Sequence, residues 1–211
     1  YFIMKKSKRV KKSNSWKIKQ HRDQFFKKSK TLGYRSRASF KLIELNQKFK
    51  FLKKNSNLID LGSSPGGWAQ VASKMITNGK ILSIDIKEML PVKNVKFLKS
   101  NFLNDNTRNE VNNYFKNKLD VIISDMAADT TGNKTLDSIR TNQLCAETIN
   151  FSKKILKPKG VLISKLFMGE DFIEVKNLAK SVFKNVNFFK PNSSRSESKE
   201  TYLHCEILKS L

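Results

Sequence analysis

One stretch of the sequence decides the fold: Asn57-Leu58-Ile59-Asp60-Leu61-Gly62-Ser63-Ser64-Pro65-Gly66-Gly67-Trp68. Residues 57–61 form a short apolar run of strand length, residues 64–67 form a turn, and residues 68–76 have a helical pattern. A buried strand that leads through a glycine turn into a helix is typical of the βα units of a parallel sheet. This segment therefore predicts the first strand of an α/β domain.

Strands and helices alternate through the rest of the chain. The predicted strands are residues 57–61, 80–84, 95–98, 120–124, 161–166, 186–189 and 201–208, and the predicted helices are 36–49, 68–76, 108–115, 135–156 and 172–183. Pro158 and Gly160 mark the end of the long fourth helix. Continuous apolar strands that alternate with helices predict a parallel sheet covered on both faces. The last two strands have no helix between them, so we expect them to form an antiparallel pair at the edge.

The charge of the chain is large and one-sided. Its 211 residues suit one domain, and 42 basic residues against 18 acidic ones give a formal net charge of +24. Such an excess opposes compactness, which makes a polyanionic partner, above all a nucleic acid, the leading explanation. A compositional bias of the genome is the competing explanation, and both can hold together.

The first 34 residues differ in composition from the remainder. Two lysine-rich clusters flank Trp16, with Phe25 and Phe26 next to the second cluster. We expect residues 1–34 to form a basic arm and residues 35–211 to form a single domain. The aromatic residues have two interpretations, as anchors for nucleic acid or as side chains that pack on the core, and the second is favoured.

The cysteines and the chain start bear on the compartment. Cys145 and Cys205 form neither a metal pattern nor a disulfide framework, so we expect no metal and a reducing intracellular compartment. No stretch approaches the roughly 20 apolar residues of a membrane span. The start at Tyr1 does not resemble a secretory signal. We expect the cytoplasm for a bacterial protein, and a mitochondrion or other organelle for a eukaryotic one whose transit segment has been removed.

Two features predict a nucleoside-containing cofactor. The turn that contains Gly62, Gly66 and Gly67 lacks the G-x-G-x-x-G spacing of dinucleotide-binding loops, which disfavours a dinucleotide-dependent reductase. Asp85 closes the second strand, where a carboxylate can accept hydrogen bonds from both hydroxyls of a ribose. Either feature alone is weak, since strand-end aspartates often cap helices.

Three charged residues lie at or beside strand ends. Asp125 follows an apolar run, Lys165 lies inside another, and Glu200 precedes the last strand. Charged groups in such surroundings need partners, so a structural ion pair between Asp125 and Lys165 is one interpretation. The other is catalysis of methyl transfer to a hydroxyl, in which a lysine accepts one proton provided that its pKa falls toward neutrality.

Five stretches, in chain order, match a family pattern. They are Arg35-Ser36-Arg37-Ala38-Ser39-Phe40-Lys41-Leu42, residues 60–68, Ser124-Asp125-Met126-Ala127, Ser164-Lys165-Leu166-Phe167, and Lys190-Pro191-Asn192-Ser193-Ser194-Arg195 with Glu200-Thr201-Tyr202. In this order they resemble the FtsJ-like (RrmJ-type) ribosomal RNA large-subunit 2′-O-ribose methyltransferases. The resemblance implies a Rossmann-like methyltransferase fold, whose seven-stranded, mostly parallel sheet contains one antiparallel strand.

The resemblance also implies the site residues. Lys165 would accept the proton, Asp125 and Glu200 would steer it, and Lys41 would position the acceptor ribose and depress the pKa of Lys165. The implied cofactor is S-adenosylmethionine, with S-adenosylhomocysteine as product, and its implied contacts are Gly62, Ser63, Pro65, Gly66, Gly67, Trp68, Asp85, Asn101, Phe102 and Asp125. The residues expected to bind RNA are Arg35, Arg37, Lys190 and Arg195.

Two positions depart from the family pattern. Asn101 stands where the family usually has an aspartate near the adenine of the cofactor, and Ala128 replaces a proline. We expect cofactor binding to survive, because an amide also donates and accepts hydrogen bonds. Met126 resembles the ribosomal branch more than the transfer RNA branch.

Together these observations predict methylation of a uridine in large-subunit ribosomal RNA. The expected partner is ribosomal RNA or the large ribosomal subunit, with no membrane, and the expected state is a monomer. A transfer RNA 2′-O-methyltransferase is the alternative, and a non-catalytic RNA-binding module is a further one, which the intact set of four charged residues disfavours.

Overall fold

The part of the chain that this computed structural model describes, residues 23–210, contains six helices and seven strands. The helices are α1 (Gln24–Thr31), α2 (Ala38–Phe49), α3 (Gly67–Met75), α4 (Asp105–Phe115), α5 (Lys134–Ile155) and α6 (Phe172–Val182). The strands are β1 (Leu58–Leu61), β2 (Ile81–Asp85), β3 (Val95–Lys99), β4 (Leu119–Ser124), β5 (Leu156–Phe167), β6 (Phe183–Phe189) and β7 (Glu200–Leu208).

All seven strands form one sheet in the order β3-β2-β1-β4-β5-β7-β6. β1 to β5 pair in parallel, and β7 runs antiparallel to both of its neighbours. The predicted α/β fold, with one antiparallel strand in a mostly parallel sheet, is confirmed. The antiparallel pair of β6 and β7 is confirmed as well, but only β6 lies at the edge, because β7 inserts between β5 and β6.

The central strands are buried because both faces of the sheet are covered. Every residue of β1 is buried, including Asp60, the one charged residue among its apolar side chains. Ile59 and Leu61 face one hydrophobic core, which includes residues of α4 and α5, while Leu58 faces a second core beneath α2 and α3. Because β1, β2 and β4 pair in parallel, their carboxyl ends lie together along one side of the sheet. This row of strand ends is called here the upper edge, as distinct from the edge strands β3 and β6.

Two strands begin three or more residues earlier than the sequence predicts. β5 starts directly at Leu156, where helix α5 ends, and a register shift between Leu119 and Val121 of β4 accommodates residues 157–160. Pro158 and Gly160 therefore lie in an irregular strand rather than in a loop. β6 starts at Phe183 instead of residue 186, because hydrogen bonding to β7 extends it beyond its apolar part.

Helix α1 lies within the segment expected to be an arm. Asp23 caps it by accepting hydrogen bonds from the amides of Phe25 and Phe26. The ring of Phe25 contacts that of Phe40 at 5.6 Å between centroids, so it packs on α2. Trp16 and the first lysine cluster lie outside the described residues.

Neither a membrane span nor a metal site is found between residues 23 and 210. No helix there has the length and apolar character needed to cross a membrane. No group of three or more His, Cys, Asp or Glu side chains in that range could hold a metal ion.

Candidate active site

Four charged side chains from distant parts of the chain meet at the upper edge. Lys41 comes from α2, Asp125 follows β4, Lys165 lies near the end of β5, and Glu200 begins β7. The antiparallel register places Glu200 opposite Phe167 and Tyr202 opposite Lys165. The structure thus brings together the four residues that the sequence predicts as catalytic.

These side chains form one continuous ion-pair network. The Lys165 ammonium lies 2.6 Å from Asp125 Oδ1 and 3.7 Å from Glu200 Oε2, and it donates to the Asp125 carbonyl at 2.9 Å. The Lys41 ammonium lies 2.7 Å from Glu200 Oε1. The side chains of Lys165 and Glu200 are only 9% and 10% exposed. Glu200 therefore joins both lysines in a largely buried setting.

Two further residues complete the network, and neither was predicted from the sequence to have a role. Tyr202 is fully buried and donates its hydroxyl to Asp125 Oδ1 at 2.6 Å. The Ser194 hydroxyl donates to Glu200 Oε1 at 2.7 Å. Both residues lie in a stretch that carries the family resemblance, but only the register of β7 and the fold of the 190–195 loop show what they contact.

The network holds Lys165 as an ammonium. Burial disfavours the charged form, but the carboxylates of Asp125 and Glu200 outweigh burial and raise the pKa of Lys165 above its ordinary value. For Asp125, burial opposes ionisation, yet the ammonium groups of Lys165 and Lys41 lower the pKa of its carboxyl. The sequence-based expectation was a lowered pKa for Lys165, with help from Lys41. In this structure Lys41 instead pairs with Glu200, and the pKa of Lys165 is raised rather than lowered.

Beside the network lies a cleft of about 1020 Å³. Asp125 lines it together with the loops that follow β1, β2, β3 and β4. Of the residues predicted to contact the cofactor, the cleft is lined by Gly62, Asp85, Asn101, Phe102 and Asp125. Arg108, Arg140 and Glu147 also line it, and these were not predicted.

Asp85 is fixed at the rim of the cleft. Its Oδ2 accepts a hydrogen bond from the Ser64 amide and its Oδ1 from the Lys87 amide, each at 2.8 Å. Each carboxylate oxygen has two lone pairs, so Asp85 keeps acceptor capacity for two hydroxyl groups. This geometry suits the predicted contact with a ribose.

Asn101 and Phe102 shape the next part of the cleft. Asn101 Oδ1 accepts from the Leu103 amide at 3.0 Å, which leaves its NH₂ group as the freer hydrogen-bonding group. The Phe102 ring packs against Phe151 with 5.0 Å between centroids, and the guanidinium of Arg108 lies 5.3 Å from its centre. Because Phe102 is only 4% exposed, its ring belongs to the core behind the cleft wall, and its contact with a cofactor stays a prediction.

The glycine turn faces the protein more than the cleft. A side chain at Gly67 would collide with the hydroxyls of Ser36 and Ser39, so glycine lets α2 approach α3 closely. Trp68 is 3% exposed and donates to the Ala38 carbonyl at 2.8 Å. Contacts of Ser63, Pro65, Gly66, Gly67 and Trp68 with a cofactor stay predictions.

Two of the residues expected to bind RNA have partners within the protein. Arg35 donates to the carbonyls of Leu90 and Pro91 at 2.5 and 2.7 Å. Arg37 forms an ion pair with Asp23 and donates to the Ser193 carbonyl.

The other two predicted RNA contacts lie at a second cleft. Lys190 and Arg195 are exposed and, with Arg37, line a cleft of about 500 Å³. Its remaining wall includes Ser194, which contacts Glu200, so this cleft adjoins the ion-pair network. Lys190 also has partners within the protein, because its ammonium donates to the carbonyls of Ser196 and Ser198 at 3.1 and 2.6 Å. Contact of these basic residues with RNA stays a prediction.

Comparison with known proteins agrees with this geometry. The family model of the FtsJ-like methyltransferases matches residues 34–207, nearly the whole described chain. This chain belongs to the FtsJ-like methyltransferase family. The match covers all four members of the ion-pair network, so this FtsJ-like chain is an enzyme of the methyltransferase class.

Individual relatives are close over nearly their full length. Ribosomal RNA large subunit methyltransferase E of Pelagibacter ubique is 44% identical over 197 residues, which are 93% of this chain and 97% of the relative. A crystal structure described as a ribosomal RNA methyltransferase from Plasmodium falciparum superposes with a TM-score of 0.75 at 34% identity, over 83% of this chain and 98% of that one.

A more distant structure shows the fold alone. Human methyltransferase-like protein 13 in complex with S-adenosylhomocysteine is 16% identical, with a TM-score of 0.58 over 80% of this chain and 79% of that one. Its likeness agrees with a Rossmann-like methyltransferase fold.

Proposed function

We propose that this FtsJ-like methyltransferase transfers a methyl group from S-adenosylmethionine to a ribose 2′-hydroxyl of large-subunit ribosomal RNA, at a uridine. The observation that carries the proposal is the buried network of Lys41, Asp125, Lys165 and Glu200 beside the cleft. The names of the curated relatives support ribosomal RNA as the substrate.

The residues of the cleft fit such a cofactor. Asp85 offers acceptors for ribose hydroxyls, Asn101 lines the next part of the cleft, and Asp125 supplies a carboxylate for a positive charge. When bound, the cofactor supplies an electrophilic methyl group on a positively charged sulfur. Because a like charge disfavours an ammonium, a positive charge added at this end of the cleft lowers the pKa of Lys165.

The network then acts on the acceptor hydroxyl. Neutral Lys165 would accept the hydroxyl proton as the oxygen takes the methyl group, while the methyl–sulfur bond breaks and the sulfonium leaves as the neutral thioether of S-adenosylhomocysteine. Asp125 and Glu200 fix the amine in place and stabilise the ammonium that results. Lys41 balances the charge of Glu200 and positions the acceptor ribose, and the rigid edge of the sheet keeps all four side chains in place.

The experiment is methylation of separate ribosomal and transfer RNA pools with isotope-labelled S-adenosylmethionine. We expect label in large-subunit ribosomal RNA. The labelled nucleotide should carry one additional methyl group, and its 3′ phosphodiester should resist alkaline cleavage because the 2′-hydroxyl is blocked. Label in transfer RNA alone would support the transfer RNA alternative. Binding without any label would support a non-catalytic module.

The remaining parts of the proposal concern state and compartment. We propose a monomer in a reducing compartment, and the buried, free thiols of Cys145 and Cys205 support the latter. Burial raises the pKa of Cys145 to about 12, so this group is a neutral thiol at pH 7.

A further inference from the structure

The edge of the sheet opposite the active site is rich in lysine. At this edge, called here the lower edge, β1 to β6 begin and β7 ends. Lys80 precedes β2, Lys118 precedes β4, Lys157 and Lys184 are the second residues of β5 and β6, and Lys209 follows β7. All five are exposed, and their places at the same end of neighbouring strands put them in a row that spans the distance from β2 to β6, roughly 24 Å at about 4.8 Å per strand.

Loops and helix ends extend this row. They add six exposed lysines, namely Lys53, Lys54, Lys116, Lys153, Lys154 and Lys159. The strands near this edge contain two carboxylates, Asp120, which pairs with Lys157 at 2.6 Å, and Glu206, which accepts a hydrogen bond from Asn185 at 2.9 Å. The eleven lysines outnumber them, so the lower edge carries a large net positive charge.

A groove concentrates this charge. It has a volume of about 310 Å³ and is lined by Lys116, Lys118, Lys154, Asn112 and Asn117, together with four buried apolar residues, Val111, Phe115, Leu119 and Ile155. The ammonium of Lys118 donates to the backbone carbonyl of Lys154, so the Lys118 side chain is held at the groove. Three cations with two amide side chains form a surface on which phosphate oxygens would find several donors.

Helix capping accounts for only part of the charge. Helices α2 to α6 all end at this edge, and lysines near a helix C-terminus offset a partial charge of about half an electron each. Five helix ends therefore compensate fewer than about three of the eleven lysines along the lower edge. The remaining lysine side chains repel one another in the free protein, which favours binding of a polyanion.

We propose that the lower edge, centred on the Lys116–Lys118–Lys154 groove, is a second RNA-binding surface that holds the phosphate backbone of the substrate away from the modified nucleotide. The inference rests on the proposed function, which supplies RNA as the substrate. Lysine is a point charge without the planar fork that reads bases, so the contact is independent of sequence. β4 alone separates the two edges by about 20 Å, so only an extended RNA or an assembled subunit can reach both.

The test uses a triple variant, K116Q/K118Q/K154Q, and a matched variant with arginine at the same three positions. Each is bound to full-length large-subunit ribosomal RNA, and to a short hairpin of that RNA that contains the methylated nucleotide, at several salt concentrations. The glutamine variant should bind the long RNA at least tenfold more weakly, with its salt slope reduced by about 0.7 to 0.9 for each phosphate that is no longer neutralised. The arginine variant should bind like the wild type, and the hairpin should bind all three proteins equally.

Two results would overturn the inference. One is wild-type affinity and salt slope of the glutamine variant for the long RNA, and the other is an equal loss of affinity for the long RNA and the hairpin, which would indicate a general loss of positive charge. Thermal melting checks that the variant is folded. A failure of the proposed function can be told apart from a failure of this inference. In that case the wild-type protein would methylate neither RNA, while the binding comparison would still test the lower edge.

Discussion

At the scale of single residues, Glu200 is the centre of the candidate site. It contacts Lys41, Lys165 and Ser194, and no other carboxylate among the described residues pairs with both lysines. Its negative charge helps to hold Lys165 as an ammonium, which keeps the neutral base a minor form at pH 7. Below its pKa, the neutral fraction of a lysine grows tenfold per pH unit, so we expect the methyl-transfer rate to rise with pH across the neutral range.

Replacing Glu200 tests this electrostatic control. Glu200→Gln removes a charge that raises the pKa of Lys165, so the rising limb of the rate–pH profile should move to lower pH, even if the maximal rate falls. Single-turnover methylation measured from pH 6 to 10 gives the profile, and Glu174→Gln on the exposed face of α6 is the control. A limb that stays in place or moves to higher pH would contradict this role of Glu200.

Asn101 is the second residue whose chemistry can be tested alone. Its single carbonyl oxygen accepts from the Leu103 amide, whereas an aspartate would keep that hydrogen bond and add an oxygen for the adenine amino group. Asn101→Asp should therefore tighten binding of S-adenosylmethionine by about fivefold, which corresponds to about 1 kcal/mol. Isothermal calorimetry measures it, with Asn78→Asp as a control of equal charge. Unchanged or weaker binding would show that the adenine lies elsewhere.

At the scale of elements, Arg35 ties the start of α2 to the loops around the cleft. Its guanidinium donates to the carbonyls of Pro65, Leu90 and Pro91, which belong to the loops that follow β1 and β2. The resemblance predicts instead that Arg35 binds RNA. If Arg35 supports the cleft, removal of its side chain should weaken binding of the cofactor. If Arg35 contacts RNA, the same change should weaken binding of RNA.

Arg35→Ala should weaken binding of S-adenosylmethionine by about tenfold, because removal of hydrogen bonds worth about 1.4 kcal/mol frees both loops. Binding of the short RNA hairpin should change little. Arg35→Lys should bind the cofactor with an intermediate affinity, since an ammonium cannot bridge both loops as a planar fork does. Weaker hairpin binding with normal cofactor affinity would favour the RNA role instead.

The elements also show how far the sequence could predict the structure. Apolar runs located the central strands to within a residue or two, because β1 and β4 are buried on both faces and their pattern is set locally. The early starts of β5 and β6 depend on hydrogen bonding to neighbouring strands, which a local pattern does not contain. For the same reason the roles of Ser194 and Tyr202 were missed, since they depend on which strands and loops the fold brings together around Glu200 and Asp125.

At the scale of the whole molecule, charge opposes stability. The net charge of +24 is spread over a chain of 211 residues, and eleven lysines lie along the lower edge. Mutual repulsion of these groups is screened by salt, with a Debye length of about 10 Å at 0.1 M. The charge therefore costs free energy of folding that a polyanionic partner or salt would recover.

The melting temperature should accordingly rise between low salt and about 0.3 M sodium chloride. A gain of 1 kcal/mol corresponds to about 2 to 4 °C for a domain of this size. Differential scanning calorimetry measures the trend, and K116Q/K118Q/K154Q should show a smaller rise because less repulsion remains to be screened. A melting temperature that falls as salt is added would show that ion pairs outweigh the repulsion.

The central claim is that Lys165 takes the proton of the acceptor hydroxyl. The most direct measurement is single-turnover methylation of ribosomal RNA by Lys165→Ala, with the affinity for S-adenosylmethionine measured on the same preparation. We predict a rate at least about 100-fold below that of the wild type, because general-base catalysis contributes about 10²- to 10⁴-fold, and an unchanged cofactor affinity. A variant that binds the cofactor normally and methylates RNA at a near-normal rate would contradict this role of Lys165.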